Sequence, residues 1–385
     1  MKYLIHSCFC FFLFVTPGFA QSLDDAKALY EEGKYAESLP VFERIIQSSP
    51  KNVSYNQWYG TCLLETGAIE KARPYLEYAS ERKMTEAFRS LGKLYYLSYN
   101  FEESAASYRR YKEALMKAKK LPEAEAVDFF IHRSEKASRM LSRCENIQII
   151  DSIVADKRTF SDTYLLSSES GSLQMQNNEI VYLNPLQSKR FYAQQENDGS
   201  RRLYSEVKLQ DTWSDKREIK LWDDSIPQNN YPFVLQDGMT VYFASEGEHS
   251  IGGYDLFVTR YNMNNDTYLT PNQLGMPFNS TANDYMLAID EINNLGYFAT
   301  DRFQPENKVI IYTFIPNEEM IPINANDNEE LIGRAKIVSI KDTWAAGNDY
   351  QLQIAQARKN IMEERNKASR DFCFVINDHT IYYSL

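Results

Sequence analysis

Chemistry in this chain would have to start from a small set of reactive side chains. The sequence carries four histidines, His6, His132, His249 and His379, and no two of them stand at a spacing that would let one element hold a zinc ion. Ser250 lies in Gly247-Glu248-His249-Ser250-Ile251-Gly252, a Gly-x-x-Ser-x-Gly run. A nucleophile elbow needs Gly-x-Ser-x-Gly on a strand-to-helix turn, so this stretch reads as a loop. Asn324 to Glu329 alternates oxygen ligands like a calcium loop, but Glu329 stands where the sixth-position glycine belongs and Ala335 where the final glutamate belongs. It reads as a polar linker. The neighbouring carboxylates Asp223-Asp224 and Asp290-Glu291 would point to opposite faces of a strand, which disfavours a paired acid and base. No phosphate-cradling or dinucleotide-binding glycine pattern occurs. Of the five cysteines, Cys8 and Cys10 fall in the N-terminal apolar run, while Cys62, Cys144 and Cys373 are too dispersed for a disulfide framework or a metal cluster. The expectation is a non-enzymatic protein with no cofactor and no metal.

The elements that would position any site fall into separate classes along the chain. Lys2 followed by the apolar run Leu4 to Val15 and the small-residue stretch ending at Ala20 has the pattern of an export signal, residues 1–20. No cysteine at that junction supports a lipid anchor, and no later segment is apolar for long enough to span a bilayer. The net charge of -11 is uneven: residues 21–145 are nearly balanced, whereas residues 146–385 carry 34 acidic against 21 basic side chains. An acidic surface repels phosphate backbones and argues against nucleic acid as a partner.

From residue 21 to 145 the apolar pattern is helical with a period of about 34 residues. Gly60, Gly67, Ala72 and Ala79 recur where two antiparallel helices would approach and turn; Gly33, Tyr35, Ser38, Phe42 and Pro50 match an earlier copy, and Gly92, Phe101, Ser104 and Tyr108 a later one. Tyr99 occupies the turn-glycine position of that last copy. Pro122-Glu123 opens a further helix that would cap the stack. This region resembles the tetratricopeptide repeat (TPR), a helix-turn-helix unit that stacks into a solenoid. The resemblance implies an inner groove, lined by the first helix of each repeat, that holds an extended segment of a partner protein. Carried over position by position, its contacts would be Lys27, Tyr30, Gln57, Thr61, Arg89, Lys93 and Tyr96, with Arg89 and Lys93 favouring a polar or acidic peptide.

Near residue 146 the period changes from 3.6 to 2. Arg190-Phe191-Tyr192-Ala193, Val241-Tyr242-Phe243-Ala244 and Gly296-Tyr297-Phe298-Ala299 repeat one strand; Leu203-Tyr204, Leu256-Phe257 and Ile311-Tyr312 repeat the next. The aromatic residues of these runs recur at core periodicity, which favours packing over sugar stacking. Residues 146–323 are similar to WD40-like, TolB-type β-propellers, with Gln236-Asp237-Gly238 departing from their Pro-Asp-Gly turn. Residues 324–385 add a linker, a helix with Tyr350, Ile354, Ala357 and Ile361 on one stripe, and a hairpin from Phe372 to Tyr383. Ile147 to Val154 and that hairpin are expected to complete the ring.

The fold class read from the sequence is thus α + β in separate domains, an N-terminal α-helical TPR solenoid followed by an all-β propeller with a C-terminal helix and hairpin. Gly252-Gly253-Tyr254-Asp255-Leu256-Phe257, Gln273 to Ser280 and the order of modules resemble Bacteroidota-type cell-envelope proteins. Some of those belong to gliding and type IX secretion machinery, and an OmpA-like domain, which is not found in this sequence, often follows. That resemblance implies an exported periplasmic or outer-membrane-associated scaffold with envelope proteins as partners. The alternative is a propeller that binds or hydrolyses a glycan or other small ligand at its mouth.

Overall fold

The computed structural model describes residues 22–177, 179–222, 226–345, 350–355, 358, 359, 362, 374–377 and 380–382. The export signal expected over residues 1–20, together with Asp223-Asp224, Ala357, Ile361 and Cys373, lies outside the described residues. The chain divides into two compact units, Met1–Ile131 and His132–Leu385. The division falls within a helix, upstream of the change of period near residue 146.

The first unit is built from antiparallel helix pairs: α1 (Leu23–Glu31) with α2 (Tyr35–Ser48), α3 (Val53–Glu65) with α4 (Ile69–Glu81), and α5 (Thr85–Leu97) with α6 (Phe101–Lys117), followed by α7 (Leu121–Leu141). Ser22 and Asn52 cap α1 and α3, their side-chain oxygens accepting the N–H of Asp25 and Tyr55. The small residues act where helices meet. A Cβ on Gly60 would sit 2.8 Å from Leu76, and one on Gly92 2.7 Å from the Tyr108 ring. Gly33 and Gly67 take the left-handed conformation that ends one helix and starts the next. Tyr99 adopts the same conformation at φ 67° in the third pair. Its ring is buried against Phe101, at 5.2 Å between centroids, so packing offsets the backbone cost. Val41, Phe42, Leu63, Leu76, Leu91 and Leu94 form the main helical core, and Tyr108, Val127 and Ile131 belong to a second.

The second unit is mostly strand. In chain order these are β1 (Gln148–Asp156), β2 (Ser172–Gln176), β3 (Glu179–Leu183), β4 (Lys189–Gln195), β5 (Arg201–Leu209), β6 (Thr212–Trp213), β7 (Arg217–Glu218), β8 (Gln228–Val234) and β9 (Thr240–Glu246). There follow β10 (Asp255–Asn262), β11 (Thr267–Tyr268), β12 (Asn272–Gln273), β13 (Asp284–Asp290), β14 (Leu295–Thr300), β15 (Lys308–Ile315), the helix α8 (Asn328–Lys336), β16 (Phe374–Asn377) and β17 (Thr380–Tyr382). The same antiparallel meander occurs three times: β3-β4-β5-β7, β8-β9-β10-β12 and β13-β14-β15-β1. In the first two the outer strand is only two residues long. In the third it is the nine-residue β1, which enters from the start of the unit and runs antiparallel to β15 from Gln148↔Ile315 to Asp156↔Lys308.

The repeated aromatic runs occupy equivalent strands. Phe191, Phe243 and Phe298 sit in β4, β9 and β14, and Tyr204, Phe257 and Tyr312 in β5, β10 and β15; all are buried. Phe191, Phe243 and Phe257 belong to one buried cluster and Phe298 and Tyr312 to another, since a lone small sheet cannot cover its own faces. β2 adds a strand beside β3, and one parallel pairing, Arg201↔Gln228, links the first two meanders. The sheets do not close on themselves, and the strands of the terminal hairpin pair with each other in a separate sheet instead of joining a meander. β1, by contrast, does complete one.

Polar residues fix the loops of this unit. Asp284 and Arg302, whose side chains are 0% and 2% exposed, form a 2.8 Å ion pair. The Arg302 guanidinium also donates to Phe278 O, Ala335 O and Thr300 Oγ1. Asp327 caps α8 by accepting the Glu330 N–H, so the oxygen-rich run from Asn324 ends in a helix start. Tyr350 and Ile354 are buried in the strand-rich core, as their stripe predicts.

Candidate functional site

The residues that the repeat pattern assigned to a peptide groove lie on α1, α3 and α5, the first helices of their pairs. The structure joins several of them into a polar ladder. Gln57 Nε2 donates to Tyr30 OH at 2.9 Å and to Thr61 Oγ1 at 3.2 Å, and Thr61 Oγ1 lies 2.9 Å from Ser90 Oγ. One chain of hydrogen bonds therefore links three successive repeat helices. Burial pushes the Tyr30 phenol above its ordinary pKa, against the hydrogen bonds from Thr61 and Gln57.

This arrangement divides the seven residues into those that hold the face and those that present it. Gln57, Thr61 and Tyr96 are buried, at 3%, 5% and 8% exposure. Gln57 and Thr61 lie in the seam between helices, and Tyr96 packs edge-to-face on Phe101 at 5.2 Å. Their helix face follows from the resemblance to the repeat; their depth comes from how closely neighbouring helix pairs stack. Lys27, Arg89 and Lys93 reach solvent, and Tyr30 stands partly buried beside them. Lys27 sits 5.2 Å from the Trp58 ring centroid and 3.5 Å from Asp24. The Lys93 ammonium is 2.5 Å from Glu65 Oε2, so its charge is already matched within the unit. Arg89 lowers the phenol pKa of Tyr35 and of Tyr111, although burial leaves both raised. Ser90, which completes the ladder, and Trp58, beneath Lys27, were not among the residues singled out from the sequence. Each adjoins one that was, and the resemblance to the repeat is what pointed to this face.

In the strand-rich unit Ser250, Asp255, Asp290 and Glu291 hydrogen-bond to nearby loop groups. Ser250 Oγ donates to Gly247 O within its loop. Asp290 accepts from Ser167, Ser170 and Asn293, while Glu291 accepts the Gln236 N–H, so the two carboxylates act on different partners. Asp255 is buried, with its oxygens accepting from Ile251 N at 2.8 Å, Gly252 N at 2.9 Å and Gln273. Burial, and then the neighbouring Asp284 charge, push its pKa up to about 7. Arg133 grips the same loop from the other side, donating to Ile251 O and Gly252 O at 2.6 Å each. Among the described residues no group of three or more His, Cys, Asp or Glu side chains is placed to hold a metal ion, and no helix is long and apolar enough to cross a membrane.

An aromatic cluster gathers where the meanders meet. Tyr231, Tyr254, Tyr285 and Phe160 pack with centroids 5.8 to 6.2 Å apart. Tyr231 is a non-glycine residue at φ 53°, inside the irregularity of β8, which turns its ring out of the strand. Nearby phenols are bonded inward: Tyr164 to Met286 O, Tyr297 to Leu165 O and Tyr285 to Asp301.

The family model for the tetratricopeptide repeat matches residues 29–94, from the end of α1 into α5. No curated protein and no solved structure matches the chain.

Proposed function

We propose that this chain is a non-enzymatic protein-binding scaffold whose tetratricopeptide repeats capture an extended segment of a partner protein. The observation that carries the reading is the Tyr30-Gln57-Thr61-Ser90 ladder, which ties three repeat helices together and holds their shared face in one arrangement before any ligand arrives. A preformed face loses little ordering entropy on binding. Arg89, exposed beside this ladder, is the side chain best placed to select an acidic or polar segment, since Lys93 is engaged by Glu65.

The three repeated meanders support the further reading that residues 146–323 form a WD40-like propeller, with β1 closing its last blade. The N-terminal pattern and the order of modules support an exported protein of the periplasm or outer-membrane face, with envelope or secretion-apparatus proteins as partners. The rival, a propeller holding a glycan or other small ligand, requires aromatic faces open to that ligand. The rings of this cluster pack on one another, the Tyr285 hydroxyl bonds to Asp301, and the neighbouring Tyr164 and Tyr297 hydroxyls bond to backbone carbonyls, which favours the scaffold.

The test is in-cell crosslinking of a tagged chain, followed by identification of what it captures. Arg89→Glu is expected to abolish capture of a discrete partner, and Lys93→Glu, which places a carboxylate opposite Glu65, to weaken it. Capture unchanged by Arg89→Glu would remove the groove from the reading.

A further inference from the structure

Among the described residues, only the first half of the outer edge of β1 is covered. The C-terminal segment supplies that cover. Thr343 Oγ1 accepts the Ile149 N–H at 2.9 Å, Trp344 Nε1 donates to Ile149 O at 2.8 Å, Tyr350 bonds to Gln148, and Arg358 pairs with Asp151. The contacts of Thr343, Trp344, Tyr350 and Arg358 thus all fall on Gln148 to Asp151. Beyond lie Ser152 to Asp156, the outermost strand positions of their sheet, where Ile153 and Val154 are 52% and 53% exposed. An apolar, β-branched edge of this kind is a template for another strand.

The same chain carries a strand pair without a sheet. β16 and β17 pair Phe374↔Tyr382 and Val375↔Ile381 and join neither larger sheet. A two-stranded hairpin is marginal in water by itself. Its sequence, Phe374-Val375-Ile376 and Ile381-Tyr382, is suited to a half-buried sheet position.

We propose that the free half of the β1 edge is the docking edge for this hairpin, with β16 pairing against Ser152 to Asp156. Three observations select this occupant. The segment leading to the hairpin is already seated on the adjoining half of the same edge, so docking would continue an existing interface. The lengths match, four residues in β16 against five uncovered in β1. The tether is also long enough: from Arg358 to Cys373 the chain reaches up to about 50 Å, whereas the uncovered edge is only about 17 Å long. Short tethering of this sort gives an effective concentration in the millimolar range. The third meander would then carry two further strands and lose its exposed apolar edge. This inference does not depend on the peptide-groove reading.

Cys373 adjoins β16 and supplies the test. Ser152→Cys, Ile153→Cys and Val154→Cys are introduced one at a time into the full chain, which is oxidised mildly and mapped by mass spectrometry. At least one introduced thiol is expected to form an intramolecular disulfide with Cys373. A disulfide between two chains would assign the edge to a second copy and overturn the proposal, as would failure of all three to bridge. Amide hydrogen exchange provides a readout free of cysteine chemistry. Residues 374–382 should be protected in the unmodified chain, and an Ile153→Lys, Val154→Lys variant should lose at least tenfold of that protection. Exchange already at the unprotected rate, or protection that survives the variant, would also overturn it.

Discussion

Replacing Arg302 by methionine would keep most of its apolar stem while removing the charge opposite Asp284. Asp284 is fully buried and Arg302 nearly so, and the guanidinium also satisfies the carbonyl oxygens of Phe278 and Ala335. Leaving one member of such a pair costs about 3–5 kcal/mol, because the remaining charge stays desolvated without its partner. For a unit of this size that corresponds to a drop in Tm of about 6–20 °C. The double variant, Arg302→Met with Asp284→Asn, buries no unmatched charge and should lose clearly less than the sum of the two single variants. Burial already raises the Asp284 pKa, with Arg302 the first influence holding it down. Without Arg302 it rises further, so the deficit of Arg302→Met should shrink as pH falls. The assay is urea unfolding followed by tryptophan fluorescence in a Trp58→Phe background, which leaves Trp213, Trp222 and Trp344 to report on the strand-rich unit. A single-variant cost below about 1 kcal/mol, or strict additivity in the double, would refute the reasoning, since both require the pair to be well solvated.

Two further outcomes are expected. Asp255 has a folded pKa raised to about 7, well above the unfolded carboxylate value of about 3.9. Its contribution is therefore fully present below the unfolded value and is lost as pH rises through 7. The stability of the wild type relative to Asp255→Asn should fall by up to about 1.4 kcal/mol per pH unit between pH 5 and 7 and then level off; urea midpoints that keep a constant offset would count against this. In the helical unit, Gly92→Ala places a methyl 2.7 Å from the Tyr108 ring. The clash should outweigh the roughly 1 kcal/mol gain in helix propensity and lower helical stability by about 1–2 kcal/mol, as read by far-ultraviolet circular dichroism. A stabilised Gly92→Ala would mean that the two helices part easily.

The helical pairs were legible because their signals are local. Gly33 and Gly67 mark turns that need a positive φ, and Gly60 and Gly92 mark contacts that exclude a side chain. Tyr99 shows the limit: a turn position can be filled by a residue that violates the local preference when its ring has somewhere to pack. For the candidate face, the resemblance to the repeat gave the side of each helix on which Gln57, Thr61 and Tyr96 stand but not their depth, which depends on contacts between helix pairs. In the strand-rich unit the aromatic runs of β4, β9 and β14 announced a repeated sheet. The outer strands β7 and β12 were not foreseen, being two residues long and without a period of their own. The pairing of Lys93 with Glu65 was not legible for a related reason, since the two stand 28 positions apart.

The pairing of β1 with β15 also has a bearing on biosynthesis. During translation β1 emerges well before the strand it must meet, because Ser152 pairs with Tyr312. At roughly 5–20 residues per second the nascent chain spends about 8–30 s with this apolar strand unpaired. The last sheet can form only once β15 has been made, and such long-range closure is slow. A chain interrupted before Lys308 would keep β1 permanently without its mate, so truncated products should be recognised by chaperones or proteases through their N-terminal strand, far from the break.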